Sequence, residues 1–287
     1  MLEHDVLVIG AGLAGMRAAI AARAGGANTA IMSKVHPVRS HSNAAQGGIN
    51  AALTDRGDEW EDHAYDTIKG SDFLGDQDAI EVMCKAAGQA LIDMEHFGVT
   101  FNRDDEGKLG TRAFGGQRRA RTFFVGDFTG QALLHVMFEQ LIKSGVRRYE
   151  EWFVSSLIIE DGQVCGVMAL EIRTGQVYAI RAKTVIFCTG GFGRVFEPST
   201  NALICTGDGT ALAYNAGAEL MDMEMVQYHP TTLAGSGVLI SEAARGEGAH
   251  LLDKDGSRFM EKYAPNMMEL ASRDVVSRAE QTEINAG

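Results

Sequence analysis

A chain of 287 residues, 45% hydrophobic and 22% charged, can bury a core large enough for one big domain or two smaller ones. Its net charge of −12 argues against a surface for nucleic acid or for an anionic membrane. Glycine is abundant, 34 residues against 4 prolines, but follows no fixed period, which excludes a collagen-like chain and points to backbone brought close to a ligand.

The opening MLEHD lacks the basic start of a signal peptide, and the longest apolar run, residues 6–16, is too short to span a bilayer. The chain therefore reads as soluble and intracellular. Residues 5–10, DVLVIG, form the continuous apolar pattern of a buried strand. A glycine turn, an alanine-rich helix through Ala24 and a second strand at residues 29–33 complete a βαβ unit.

A second helix is expected over residues 77–97, with Asp76 as its N-cap and Ile80, Met83, Ala87, Leu91 and Met94 as a core stripe. A third is expected over residues 129–143, with Leu133, Met137 and Leu141 facing the core and Gly145 ending it. Residues 153–180 change to short β-branched runs broken by Asp161-Gly162 and Thr174-Gly175, the pattern of an antiparallel meander. Residues 182–191, AKTVIFCTGG, read as a further buried strand ending on paired glycines. Together these build one α/β domain.

Among residues outside these elements, the basic knot Arg118 to Arg121 reads as a solvated loop ahead of a docking surface. The four cysteines show no metal-like spacing, and Cys165 and Cys188, inside apolar runs, read as buried free thiols in a reducing compartment.

Gly10, Gly12 and Gly15 fit the G-x-G-x-x-G spacing between a strand and a helix. The first permits the tight turn, the second lets backbone N–H groups reach a pyrophosphate, and the third lets helix pack on strand. The acidic residue that an NAD site places about 20 positions on is missing; Ser33 and Lys34 stand there, so a standard NAD site is disfavoured while a dinucleotide is not.

SKVHPVRSHSNAAQGGINAAL, FGGQ, TGDG, MEMVQYHPT, SEAARGEGAHLLDKDGSRFMEKYAP and SRDVVSRA then occur in order. Together they closely resemble the flavoprotein subunits of succinate dehydrogenase and fumarate reductase, over essentially the whole chain. The resemblance implies a Rossmann-like FAD-binding domain with an antiparallel meander insertion, residues 1–224, and part of an α+β capping domain, residues 225–287. The family's chains are longer, so this one is expected to be an amino-terminal portion ending within the capping domain.

By the same resemblance His41 would carry a covalent bond to FAD, where the residues alone would allow a plain hydrogen-bonding loop histidine. The Ser33-Lys34 segment would meet the adenosine side, Gly47 and Gly48 would let backbone approach the isoalloxazine, and Asp208 would meet ribityl or ribose hydroxyls. His229 and Ser241, the latter where the family most often has threonine, would hold a substrate carboxylate, with Phe114 packed beside it. Arg273 would shuttle the proton, restored by Glu242 and Arg245.

The implied reaction is hydride exchange between succinate and flavin. Electrons would pass to an iron–sulfur subunit and a quinone beside a membrane-anchor subunit, on the inner face of the cell membrane. Two other readings are an L-aspartate oxidase-like flavoprotein with non-covalent FAD, which His41 disfavours, and a truncated flavin-binding module without activity.

Overall fold

The computed structural model of the protein describes residues 2–287. In chain order its main elements are β1 (Leu2–Ile9), α1 (Leu13–Ala24), β2 (Thr29–Ser33), β3 (Ile49–Asn50), α2 (Trp60–Gly70), α3 (Gln77–Phe97), β4 (Thr111–Arg112) and β5 (Thr122–Phe123). There follow α4 (Thr129–Lys143), β6 (Arg147–Glu150), β7 (Trp152–Glu160), β8 (Gln163–Glu171), β9 (Gln176–Phe187), α5 (Asp208–Asn215), α6 (Glu242–Gly246), α7 (Met260–Tyr263) and α8 (Arg273–Ala286). Two compact units form, each from two stretches: the chain up to Ala45 with Gly130–Met225, and Gln46–Thr129 with Val226–Gly287.

The first unit is built on a six-stranded sheet in the order β6-β2-β1-β9-β8-β7. β6, β2, β1 and β9 run parallel, and β8 and β7 continue the sheet antiparallel. Leu7, Val8 and Ile9 are buried because a parallel strand is covered on both faces. Leu7, Ile9, Ala30, Met32, Val167 and Ile180 join one core cluster. Each large aliphatic chain buried there contributes about 1.5–3 kcal/mol.

The meander follows its turn residues: Asp161 (φ 50°) and Gly162 (φ 76°) both take the left-handed region that a two-residue hairpin demands. The expected separate strand after it is the end of β9. This one strand pairs antiparallel with β8 over its first half and parallel with β1 over its second. Val185, Ile186 and Phe187 are only half-buried there, less than their apolar run suggested.

On α4 the expected stripe is buried, with Leu133, Leu134, Met137 and Leu141 at 4% exposure or less, and Gly145 (φ 70°) follows its end. β6, whose RRYE gives no apolar signal, was not foreseen; it is held by pairing with β2 and by the buried Tyr149. Two thiol assignments change: Cys84 and Cys205 are the buried cysteines, whereas Cys165 and Cys188 are half-buried, and all four are free.

In the second unit α2 and α3 pack together and a small antiparallel sheet orders as β3-β5-β4. Asp76 caps α3 by accepting the Ala79 N–H at 3.1 Å, and Gly98 (φ 118°) closes it. The expected stripe holds at Leu91, which is buried, and at Ile80, Ala87 and Met94, which are half-buried; Met83 departs from it at 51% exposure, and Cys84 is buried in its place.

The basic knot is a solvated loop only in part: Arg118 and Arg119 are about half-exposed, but Arg121 is not. Arg121 is 1% exposed, with Nε donating to Asp58 at 2.7 Å and Nη1 to Asp66 at 2.8 Å. Arg118 also grips Asp66, through Nε at 2.6 Å. Buried charge demands this pairing, which the spacing of the carboxylates along α2 and its approach supplies. Met260, Ala271, Val276 and Ala279 form the core between α7 and α8. Among the described residues no helix is long and apolar enough to cross a membrane.

Candidate flavin and dicarboxylate sites

The glycine turn follows β1 for a steric reason. A Cβ on Gly10 would lie 2.1 Å from the Cys188 carbonyl oxygen, and one on Gly15 would lie 1.8 Å from that of Gly10. No side chain caps α1 at Gly12, and its first turn carries no acidic residue. Its positive end is therefore open to an anion.

Hydroxyls flank that end. Ser42 Oγ lies 3.4 Å from the Leu13 nitrogen, and Ser40 Oγ is buried with no partner among the described residues. A helix start whose N-cap residue is a glycine, a glycine cradle and an unpaired buried hydroxyl fit the pyrophosphate of FAD.

Ser33 is buried at the end of β2. Lys34 is tied to Asp208, at the start of α5, and donates to Thr206 Oγ1 at 2.8 Å; Thr206 in turn donates to Asp208 at 2.9 Å. The carboxylate absent from the local sequence pattern thus reaches the end of β2 from far along the chain. Gly207 (φ 78°) makes the turn that sets it there.

His41 begins a short 3-10 turn, His41–Ala44. Its Nδ1 accepts the Ala202 N–H at 3.2 Å, which leaves Nε2 outward. The side chain is exposed, yet the protein mass around it lowers its pKa below the ordinary histidine value. The ring is neutral at pH 7 as a result.

In the second unit Gly47 packs under Phe114, whose Cζ would stand 2.7 Å from an added Cβ. Gly48 (φ 132°) lies where a Cβ would meet the Phe123 carbonyl oxygen at 2.5 Å. Arg112 donates from Nε to the Gly47 carbonyl at 3.0 Å and holds this turn. Thr129 Oγ1 reaches the Gln46 carbonyl at 3.4 Å. Neither Arg112 nor Thr129 was foreseen; only Arg112, two residues before FGGQ, gave a positional hint.

A polar cluster gathers on α6 and α8. Glu242, 4% exposed, receives Arg273 Nε at 2.8 Å and Nη2 at 2.7 Å on one oxygen, and the Gly115 N–H at 2.9 Å on the other. Arg273 Nη1 donates to Gln227 at 2.9 Å, a partner the sequence did not reveal. Arg245 Nη2 stands 3.8 Å from Glu242, and its Nη1 donates to the Glu269 carbonyl at 2.8 Å.

Burial lowers the pKa of His229, and the positive charge of Arg273 lowers it further. Its Nδ1 lies 3.0 Å from the Thr231 carbonyl oxygen and 3.3 Å from the Thr231 nitrogen, so Thr231 fixes the ring and leaves Nε2 free of it. Ser241 caps α6 by accepting the Ala243 N–H at 3.2 Å and keeps its own proton to donate. Within this unit Phe114, Glu242, Arg245 and Arg273 are linked through Gly115. Gly47 joins them through Phe114, while His229 lies within electrostatic reach of Arg273.

Residues 5–287 match the family described as "FAD binding domain". The succinate dehydrogenase flavoprotein subunit of Rickettsia bellii is 50% identical over 99% of this chain and 49% of its own length. The fumarate reductase flavoprotein subunit of Mycobacterium tuberculosis is 48% identical over 99% of this chain and 51% of its own. A structure of E. coli quinol fumarate reductase superposes with a TM-score of 0.96 at 39% identity, covering 100% of this chain and 52% of that one. The chain spans about half the length of the curated relatives it matches. It belongs to the FAD-binding-domain family.

Proposed function

We propose that the protein interconverts succinate and fumarate with an FAD joined to His41, handing electrons to an iron–sulfur subunit and on to a quinone beside a membrane-anchor subunit. The protein would then sit peripherally on the inner face of the cell membrane. The observation that carries this reading is the Arg273–Glu242 pair, at 2.7 Å, with Arg245 behind it. A flavoprotein that only stored or moved electrons would have no use for a buried carboxylate between two guanidinium groups.

The chemistry that FAD supplies when bound is two-electron hydride exchange. Gly10, Gly12 and Gly15, the α1 N-terminus and Ser40 would hold its pyrophosphate. The Lys34–Asp208 pair would order the adenosine and ribose contacts, and Gly47 and Gly48 would admit the ring. His41 would bear the covalent link at Nε2. A substituent there leaves on Nδ1 the lone pair that the Ala202 N–H already uses.

His229 and the Ser241 hydroxyl would hold one substrate carboxylate, with Phe114 excluding water. Arg273 would deliver or take the proton at the substrate carbon. A guanidinium holds its proton far above neutral pH, which makes it a natural acid and an awkward base. It therefore needs a neighbour that returns the proton at once, and Glu242 is that neighbour.

The test is turnover in the assembled complex with succinate and with fumarate. Both should be turned over. Oxidation of aspartate with neither dicarboxylate interconverted would favour the non-covalent oxidase instead.

A further inference from the structure

Arg112, at the end of β4, turns its guanidinium on backbone. Nε donates to the Gly47 carbonyl at 3.0 Å, and Nη2 donates to the Gln46 carbonyl at 3.1 Å and the Gly126 carbonyl at 3.2 Å. The guanidinium carbon stands 4.2 Å from the centre of the Phe124 ring and 5.7 Å from that of Phe114. Arg112 makes no ion pair among the described residues; Glu247 and Asp127 act on it only through their fields. Burial lowers its pKa against their pull, yet a guanidinium keeps its proton at any working pH. A half-buried positive charge is therefore met by carbonyl dipoles and ring faces in place of a carboxylate.

The Gln46 and Gly47 carbonyls belong to two successive peptide units. Both units are trans, and in a trans peptide the N–H points opposite to the C=O. The Gly47 and Gly48 N–H groups thus point away from Arg112, and neither donates to a described residue. No side chain covers them, because a Cβ on Gly47 would strike Phe114 and one on Gly48 would strike the Phe123 carbonyl. A cation at the oxygen end of a peptide polarises it and strengthens its N–H as a donor. Two such donors side by side favour negative charge in front of them.

We propose that Arg112 is a positioning residue for the flavin: through these two peptides it presents a pair of strengthened N–H donors to the isoalloxazine and raises the flavin's reduction potential. The inference rests on the reading above that Gly47 and Gly48 admit the ring. Reduction brings electron density onto the ring, and donors backed by a cation stabilise that form over the oxidised one. A residue that only held the turn could be exchanged for a neutral donor with the potential unchanged.

The test measures the potential of the bound flavin by spectroelectrochemistry in the flavin-loaded protein and in its Arg112→Gln and Arg112→Lys variants. Glutamine can still donate to a carbonyl but has no charge, whereas lysine keeps the charge. Arg112→Gln should favour the oxidised flavin at least about tenfold, a fall of about 30 mV for a two-electron couple. Arg112→Lys should recover most of that fall. For succinate oxidation kcat should drop in Arg112→Gln while KM stays the same.

An unchanged potential in flavin-loaded Arg112→Gln overturns the proposal. A raised KM with an unchanged potential would overturn it too, and would assign Arg112 to the placing of Phe114. Should Arg112→Gln fail to load flavin, Asp127→Asn combined with Glu247→Gln replaces it. Removing both opposing carboxylates should move the potential upward, and no movement overturns the proposal. A protein that binds flavin but turns over neither dicarboxylate would sink the functional reading, while the potentials would still decide the role of Arg112. Failure of the unsubstituted protein to bind flavin would sink both.

Discussion

Glu242 is gripped from both sides: Arg273 reaches one of its oxygens at 2.7 Å and the Gly115 N–H reaches the other at 2.9 Å. The two contacts fix a buried carboxylate against a guanidinium that is itself only half-buried. A Cβ on Gly115 would lie 2.7 Å from that same carboxylate oxygen, so only glycine allows the approach. The FGGQ turn and the SEAARG helix are thereby one device, though 127 residues separate the bonded groups.

Arg273→Gln keeps a hydrogen-bonding side chain near Glu242 but removes the acid. Dicarboxylate turnover should fall at least about a hundredfold, the usual worth of a positioned acid, with flavin content unchanged. Turnover within about tenfold of the unsubstituted protein would remove Arg273 from the role. Steady-state rates and the flavin absorbance of the same sample decide it.

Arg121→Ala leaves Asp58, 5% exposed, and Asp66, 8% exposed, facing a buried gap. Breaking one side of a buried ion pair should cost about 3–5 kcal/mol. Changing Asp58 and Asp66 to Asn in the same chain, with Arg121→Met, should recover much of it. Denaturant midpoints of the two variants provide the check, and a loss under about 1 kcal/mol for Arg121→Ala would show the pair to be solvated.

Acid stability should report Glu269. Hydrogen bonds from Arg258 hold its pKa at about 2 against the opposing effect of burial, from an ordinary value of 4.5. A depressed carboxyl contributes stability that is complete above its unfolded value and is lost as pH falls through its folded one. The drop of roughly 2.5 units is worth about 3 kcal/mol, lost between about pH 4.5 and about pH 2. Glu269→Gln should unfold at a lower midpoint at neutral pH and show a flatter curve over that acid range.

Glu280 has the opposite sign. Its raised pKa costs nothing below the ordinary 4.5 and destabilises increasingly as pH rises toward about 7. Glu280→Gln should therefore be the more stable form above neutrality. Melting curves at about pH 4 and about pH 8 should diverge only at the higher value.

Local signals were legible where neighbours in sequence are also neighbours in space. The βαβ opening, the Asp76 cap and the Gly145 stop on α4 all lie within one or two turns of the elements they define. The pairing of Arg121 with Asp58 is set by tertiary packing, so a run of arginines looked like a solvated loop. β6 escaped notice because an RRYE strand is held by its neighbour and by Tyr149, not by apolar alternation. β9 read as two strands because its pairing changes from antiparallel to parallel while its backbone continues.

The site was legible in a different way. The glycine spacing carries its own physical reason, but His41, His229 and Arg273 stood out only through the resemblance of their motifs. Nothing in the sequence placed Lys34 on Asp208 or Gln227 on Arg273. Each of these partnerships joins segments that only the folded chain brings together.

The most direct test of the account is a mass measurement. The flavin-loaded protein should be denatured in acid, digested, and the peptide containing His41 weighed. The account predicts that this peptide carries the mass and the yellow fluorescence of the flavin, and that His41→Ser releases the flavin into the supernatant. An unmodified peptide from a preparation fully loaded with flavin would contradict it.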